Sequence, residues 1–204
     1  MQNTTAKPMK VAILGGSFDP VHMGHLHIAK QVLDMEAAKE VWFVPSGNHR
    51  FKQAIILLDF DARISLIQRA IATEPRFKCL DIDRAGMGDG STYDIMVRLQ
   101  KQYPQHSFSF LIGMDNLAQL PQWYNFNWLK DHVRFLVSVR PGYSPDQAVI
   151  AQLNDFGYLN CKPLDVSSTN IRAKISSGLG IQGLVPHQLL IEITKLYKEL
   201  LIRR

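Results

Sequence analysis

The chain has 204 residues, 46% of them hydrophobic and 20% charged, with a formal net charge of +5. That composition excludes a disordered chain, and the length suits one domain burying about 70% of its unfolded surface. No apolar run approaches the roughly 20 residues of a membrane helix, and the basic residues are dispersed, unlike the clustered stripe of a nucleic-acid binder.

Residues 1–8 form a loose polar tail without the apolar core of a secretory signal, and residues 9–204 read as one domain. Val11 to Leu14 is an apolar run that predicts a buried parallel strand. It ends in Gly15 and Gly16, where backbone can approach a ligand closely. Pro20 fixes the following turn, and a helical pattern of Leu26, Ala29, Val32 and Leu33 starts near Gly24. Strand, glycine turn and helix aim free N–H groups and a positive helix end at an anion. The glycine spacing matches neither G-x-G-x-x-G nor the G-x-x-x-x-G-K-[ST] loop. His22 and His25, three apart at the helix start, share a face and point where phosphates would lie. A metal pair and two surface histidines are the other readings; a metal pair lacks a third donor at a recognisable spacing.

Val41 to Pro45 predicts a second buried strand, followed by a loop whose His49, Arg50 and Lys52 are either phosphate ligands or a solvated basic patch. Ala54 to Leu58 is apolar and serves as a core plug or an oligomer contact, which leaves a homo-oligomer open. Ile64, Ile67, Ala70 and Ile71 define the next helix, ended by Pro75. Phe77 to Ile82 predicts a third strand, Asp83 to Gly90 a glycine-rich connection, and Ser91 to Gln102 a helix. Phe108 to Gly113 is the fourth strand, with Asp115 just beyond it. A carboxylate at that edge takes ribose hydroxyls, or merely complements a helix dipole. Trp123 and Tyr124 are either stacking partners for a planar ring or core. Val133 to Val139 predicts a fifth strand leading to Arg140, and Tyr158 to Cys161 a further short one. Cys79 and Cys161, far apart in apolar stretches, read as buried thiols in a reducing cytoplasm.

Ser167 and Ser168 are natural caps for a helix over Thr169 to Ser177, closed by Gly178. Arg172 projects from its first turn, and a forked, permanent cation there suits phosphate. Leu189, Ile193, Leu196, Tyr197 and Leu200 build a C-terminal helix read as packing. Strands alternate with helices throughout, which predicts an α/β, doubly wound, Rossmann-like and mostly parallel sheet in a single domain.

Gly15 to His25, reading GGSFDPVHMGH, resembles the nucleotide-binding signature of the HxGH nucleotidyltransferase superfamily of adenylyl- and cytidylyltransferases. That superfamily carries a second motif, S-S-T-x-I-R, matched here by Ser167 to Arg172. Between them, Phe110 to Leu117, Leu120 to Tyr124 and Arg140-Pro141-Gly142 resemble bacterial nicotinate-nucleotide adenylyltransferase. The resemblance implies transfer of the adenylyl group of ATP to nicotinate mononucleotide, releasing pyrophosphate, as in NAD biosynthesis. It implies His22, His25 and Arg172 on the triphosphate, and Gly15, Gly16, Ser17, Phe18, Asp115, Ser168 and Thr169 on ATP. Thr92, Trp123, Tyr124, Arg140, His49 and Arg50 fall to the nicotinate nucleotide. Mg²⁺ is expected mainly on ATP oxygens, with no protein metal ligands, nucleic acid or membrane involved, in the cytoplasm. Two departures bear on the acceptor pocket. Gly47 and Asn48 replace two prolines, and Gly90 to Met96 departs from S-Y-T-x-D-T-L while keeping Thr92 and Asp94 in register. The alternatives are another phosphorylated acceptor, nicotinamide mononucleotide among them, and a non-catalytic dinucleotide-binding module.

Overall fold

Met9–Gly16 forms β1, whose Val11 to Leu14 are buried on both faces of a sheet, as the unbroken apolar run requires. The computed structural model describes residues 8–47, 56–84, 87–139, 146–160 and 164–202, the Asp115 side chain excepted. His49, Arg50, Lys52, Ile55, Arg140 and Cys161 therefore lie outside the described residues.

After β1 come α1 (Met23–Asp34), β2 (Glu40–Pro45), α2 (Phe60–Ile71) and β3 (Phe77–Cys79). The chain then forms α3 (Thr92–Gln102), β4 (His106–Gly113), the short α4 (Met114–Leu117), a 3₁₀ turn at Leu120–Gln122 and α5 (Phe126–His132). It closes with β5 (Arg134–Ser138), α6 (Gln147–Ile150), β6 (Phe156–Leu159), α7 (Ser168–Ser176), a 3₁₀ turn at His187–Leu189 and α8 (Leu190–Ile202). The six strands make one all-parallel sheet in the order β3-β2-β1-β4-β5-β6.

Strand periodicity sorts the core into two layers. Ala12, Leu14, Val41, Phe43, Leu111 and Leu136 face α1, α2, α7 and α8. Val11, Ile13, Trp42, Val44, Phe110 and Phe135 face α3 and α5. The strand order reverses between β1 and β4, so a crevice opens at their C-terminal ends, where Gly15, Gly16 and Gly113 sit.

Several boundaries differ from the sequence pattern. β3 stops at Cys79 rather than Ile82, because Leu80 makes the last bond to β2, on Phe43, and residues 81–84 turn. β4 begins two residues earlier, at His106, which pairs with Met9. β6 is Phe156–Leu159, earlier than the predicted Tyr158 to Cys161. The buried face of α2 is Arg63, Leu66, Ile67, Ala70 and Ile71, with Ile64 only half-buried. Leu58 is buried and Leu57 packs on the same core, so this end of the apolar run is a plug. Cys79 is a free, half-buried thiol.

Candidate active site

Buried polarity marks the functional end of the sheet. Among the described residues six polar side chains are buried: Asp19, His22, Arg63, Asp83, Ser109 and Ser138. All but Ser109 lie beyond or at the C-terminal ends of strands, where the crevice opens.

The loop from β1 to α1 is built around His25. Phe18 takes a left-handed backbone (φ 49°), a strained choice for an aromatic residue. That conformation turns its buried ring edge-on to the His25 imidazole, 4.7 Å between centroids, and Gly16 leaves room for the ring to lie close. His22 is the residue preceding the first turn of α1, and its backbone N–H donates to His25 Nδ1 at 3.2 Å. The two imidazoles stack with centroids 3.6 Å apart and planes 20° off parallel. Since Nδ1 accepts, the neutral His25 ring carries its proton on Nε2. Burial, and secondarily the neighbouring His22, hold the His25 pKa well below the usual imidazole value. The first turn of α1 contains no acidic residue, so no carboxylate of its own offsets the positive helix end, although the Met23 N–H there already donates to the Leu184 carbonyl at 2.9 Å. Gly24 explains the residue between the histidines: a Cβ there would lie 3.0 Å from His22 Nδ1 and 3.4 Å from the Val166 carbonyl.

The second motif reaches the same loop from the far end of the chain. Ser167 caps α7, its hydroxyl accepting from the Asn170 N–H at 3.1 Å. The Ser168 hydroxyl is directed elsewhere, donating to the Pro20 carbonyl at 2.9 Å. Arg172 Nη1 donates to the Asp19 carbonyl at 2.6 Å, and Nη2 to Thr169 Oγ1 at 3.4 Å. Two bonds thus clasp α7 onto residues 19–20, just ahead of His22, and bring the guanidinium to the histidine loop.

Three buried residues to which the sequence pattern gave no role hold this arrangement. Asp19 is 1% exposed; its carboxylate accepts from the N–H groups of Leu57 (2.8 Å) and Leu58 (3.1 Å) and from the Tyr197 hydroxyl (2.6 Å). Arg63, also buried, donates to the carbonyls of Leu58 (3.2 Å), Ser17 (2.8 Å) and Ser46 (2.9 Å). A cation on the apolar face of α2 was the readable signal for it. Asp83 accepts from the Gly47 N–H at 2.9 Å and lies 3.9 Å from Arg98, which also pairs with Asp94 of α3. Burial pushes the Asp83 carboxyl up from its ordinary value.

Of the residues assigned to the acceptor, Trp123 is half-buried, its ring perpendicular to Phe110 at 6.0 Å. Phe110 in turn fills the space beneath Gly15, where a Cβ would come within 2.9 Å of its ring. Trp123 is thereby joined to the glycine turn through one intervening ring. Thr92 opens α3, capped by Ser91, and the adjacent Tyr93 packs edge-on against the exposed Tyr124 at 5.7 Å. Asp115 is the second residue of α4 at the end of β4. Among the described residues no cluster of three or more His, Cys, Asp or Glu is arranged to hold a metal ion, and no helix is long and apolar enough to cross a membrane. A cavity of about 660 Å³ lined by Lys10, His106, Arg134 and Asp155 opens at the opposite end of the sheet and gathers neither motif.

The chain is similar to known proteins along nearly its whole length. The cytidylyltransferase-like family matches residues 13–174, spanning both motifs. A probable nicotinate-nucleotide adenylyltransferase of Clostridium tetani is 33% identical over 186 residues, covering 88% of this chain and 93% of that protein. One from Bacillus mycoides is 36% identical over 196 residues, covering 93% and 98%. Among solved structures, Plasmodium falciparum nicotinic acid mononucleotide adenylyltransferase complexed with NaAD superposes with a TM-score of 0.79 at 20% identity, over 94% of this chain and 97% of that one, and shares the fold. The chain belongs to the cytidylyltransferase-like family and, within it, to the nicotinate-nucleotide adenylyltransferases.

Proposed function

We propose that this protein transfers the adenylyl group of ATP to nicotinate mononucleotide, forming nicotinate adenine dinucleotide and pyrophosphate. The observation that carries the reading is the clasp between motifs about 150 residues apart, through Arg172 to the Asp19 carbonyl and Ser168 to the Pro20 carbonyl. Relatives over 30% identical along nearly the whole chain carry the same activity in their names.

The reaction needs no protein nucleophile. An oxygen of the mononucleotide 5′-phosphate attacks the α-phosphorus of ATP, the bond from that phosphorus to the β-bridging oxygen breaks, and pyrophosphate leaves with the electron pair. The protein's task is to align two anions and stabilise charge growing on the bridging and leaving oxygens. His25 does this as a neutral donor through Nε2–H, with His22 beside it, the end of α1 behind both, and Arg172 as the permanent cation. Gly15, Gly16, Ser17 and Phe18 supply the close backbone, Ser168 and Thr169 the start of α7, and Asp115 the ribose contact. Thr92, Trp123 and Tyr124 surround the nicotinate ring, with His49, Arg50 and Arg140 toward its phosphate. The donors described around the clasp are imidazoles, a guanidinium and hydroxyls, which suit phosphate oxygens; Mg²⁺ brought in with ATP would supply further charge neutralisation without a dedicated set of protein ligands. The same reading takes residues 9–204 as one catalytic unit acting in the cytoplasm on small nucleotides, without nucleic acid or membrane.

Pyrophosphate release from ATP and Mg²⁺ with a panel of acceptors tests it. Release with nicotinate mononucleotide above all others is expected. Release only with another phosphorylated acceptor reassigns the substrate, and no release with any acceptor returns the chain to a dinucleotide-binding module.

A further inference from the structure

The C-terminal helix reads as packing in the sequence, yet it delivers a polar group into the site. Tyr197 of α8 has no exposed surface and lies among Leu and Ile side chains of the larger core layer. A phenol in such surroundings stabilises the fold no better than phenylalanine unless its hydroxyl finds a partner. Its partner is Asp19 Oδ1, at 2.6 Å. Burial and the Asp19 charge push the phenol pKa upward, so it remains a donor throughout the working pH range.

The geometry around Asp19 leaves little slack. Oδ1 accepts from Tyr197 and Leu58, Oδ2 accepts from Leu57, and Oδ2 also lies 3.7 Å from Arg172 Nη1. The same nitrogen donates to the Asp19 carbonyl at 2.6 Å, so this one residue grips Arg172 with both side chain and backbone. The carboxylate's orientation is fixed on one side by Tyr197 and on the other presented to the guanidinium.

We propose that Tyr197 is a positioning residue for adenylyl transfer: its hydroxyl orients Asp19, Asp19 orients Arg172, and the last helix thereby sets where the guanidinium points. The proposal rests on the reading that Arg172 grips the triphosphate of ATP. Loss of the phenol hydroxyl then acts on the phosphate side of the reaction and leaves acceptor binding alone.

The test is a double-mutant cycle between Tyr197→Phe and Arg172→Ala, with Ile193→Val as a buried, purely apolar truncation on the same helix. Tyr197→Phe is expected to lower kcat/KM for ATP on the order of tenfold, with KM for nicotinate mononucleotide unchanged, while Ile193→Val shifts Tm without moving either parameter. In the Arg172→Ala background the same Tyr197→Phe change is expected to have almost no further effect, since its target is gone. An equal loss in both backgrounds, or a loss matched by Ile193→Val, would overturn the proposal. Calorimetric binding of a non-hydrolysable ATP analogue to the same four proteins gives a readout independent of the acceptor. A wild type that binds the analogue but releases no pyrophosphate overturns the functional reading alone, and the cycle in Kd still decides the role of Tyr197.

Discussion

His22 and His25 hold each other through two contacts at once: their rings stack 3.6 Å apart, and the His22 backbone N–H donates to His25 Nδ1. Protonating Nδ1 would break that bond and put a cation at the positive end of α1, beside another imidazole, in a half-buried position. His25 is therefore neutral in the free protein at neutral pH. The sign of the pH dependence follows. Because the folded pKa is depressed, the unfolded chain binds the proton more readily, so His25 makes no difference to stability above the ordinary imidazole value. As pH falls through that value toward the lower folded one, stability is lost. We expect the His25 ring resonances to stay those of a neutral imidazole at pH 6.5, with Nε2 as the protonated nitrogen. Half-protonation at that pH would contradict the assignment.

Gly24→Ala separates helix propensity from site geometry. Alanine inside a helix ordinarily stabilises by about 1 kcal/mol over glycine. Here the new Cβ meets the His22 ring at 3.0 and 3.1 Å, so that ring must shift by a few tenths of an ångström against its stack on His25. Turnover is expected to fall at least tenfold while circular dichroism shows an intact fold. A variant as active as wild type and more stable would mean that the His22 ring position is immaterial.

His25→Ala removes both the Nε2–H donor and the acceptor that caps the first turn. Loss of a charge-stabilising donor costs on the order of 10²–10³ in turnover, and loss of the cap about 1 kcal/mol of stability. Steady-state kinetics and urea denaturation measure the two separately. Near-full turnover would remove His25 from the mechanism.

Much of this architecture is legible in the sequence because it depends on local patterns. The run Val11 to Leu14 with two glycines, the histidine pair at helical spacing, and the capping serine before Arg172 each announce an element and its orientation. What the sequence hides is whatever depends on contacts across the fold. Ser168 looks like a cap or a ligand, but its hydroxyl bonds the Pro20 carbonyl, 148 residues away. Tyr197 carries the same apolar periodicity as Ile193, and only the packing of α8 over the β1–α1 loop turns its hydroxyl to Asp19. Edges behave alike: β3 ends early because residues 81–84 turn to bring Asp83 under Gly47, a tertiary demand that overrides the apolar run through Ile82.

Trp123 is the residue at which the proposed reading distinguishes the two substrates. Its ring stands perpendicular to Phe110, which packs against Gly15, so one ring links it to the glycine turn while part of its surface stays exposed. Removing a base-stacking aromatic costs on the order of 1–3 kcal/mol of binding. Trp123→Ala is expected to raise KM for nicotinate mononucleotide on the order of tenfold or more, with KM for ATP little changed. Equal effects on both substrates would assign the ring to packing.

Arg63 carries a structural burden at the candidate site. Its guanidinium donates to three carbonyls, on Leu58, Ser17 and Ser46, that together join the loops after β1 and β2 to the plug at 57–58. The cost of burying it, visible in its lowered pKa, is offset first by the nearby Asp19 charge. Arg63→Met keeps the hydrophobic stem but strips those carbonyls of their donor and leaves Asp19 with one cation fewer. Breaking a buried charge network in this way destabilises by about 3–5 kcal/mol. Arg69, on the exposed face of the same helix and paired with Glu192, is the matched control, and Arg69→Met is expected to leave the denaturation midpoint almost unmoved. If the two variants unfold at the same denaturant concentration, the three carbonyls find other donors and Arg63 is dispensable to the site.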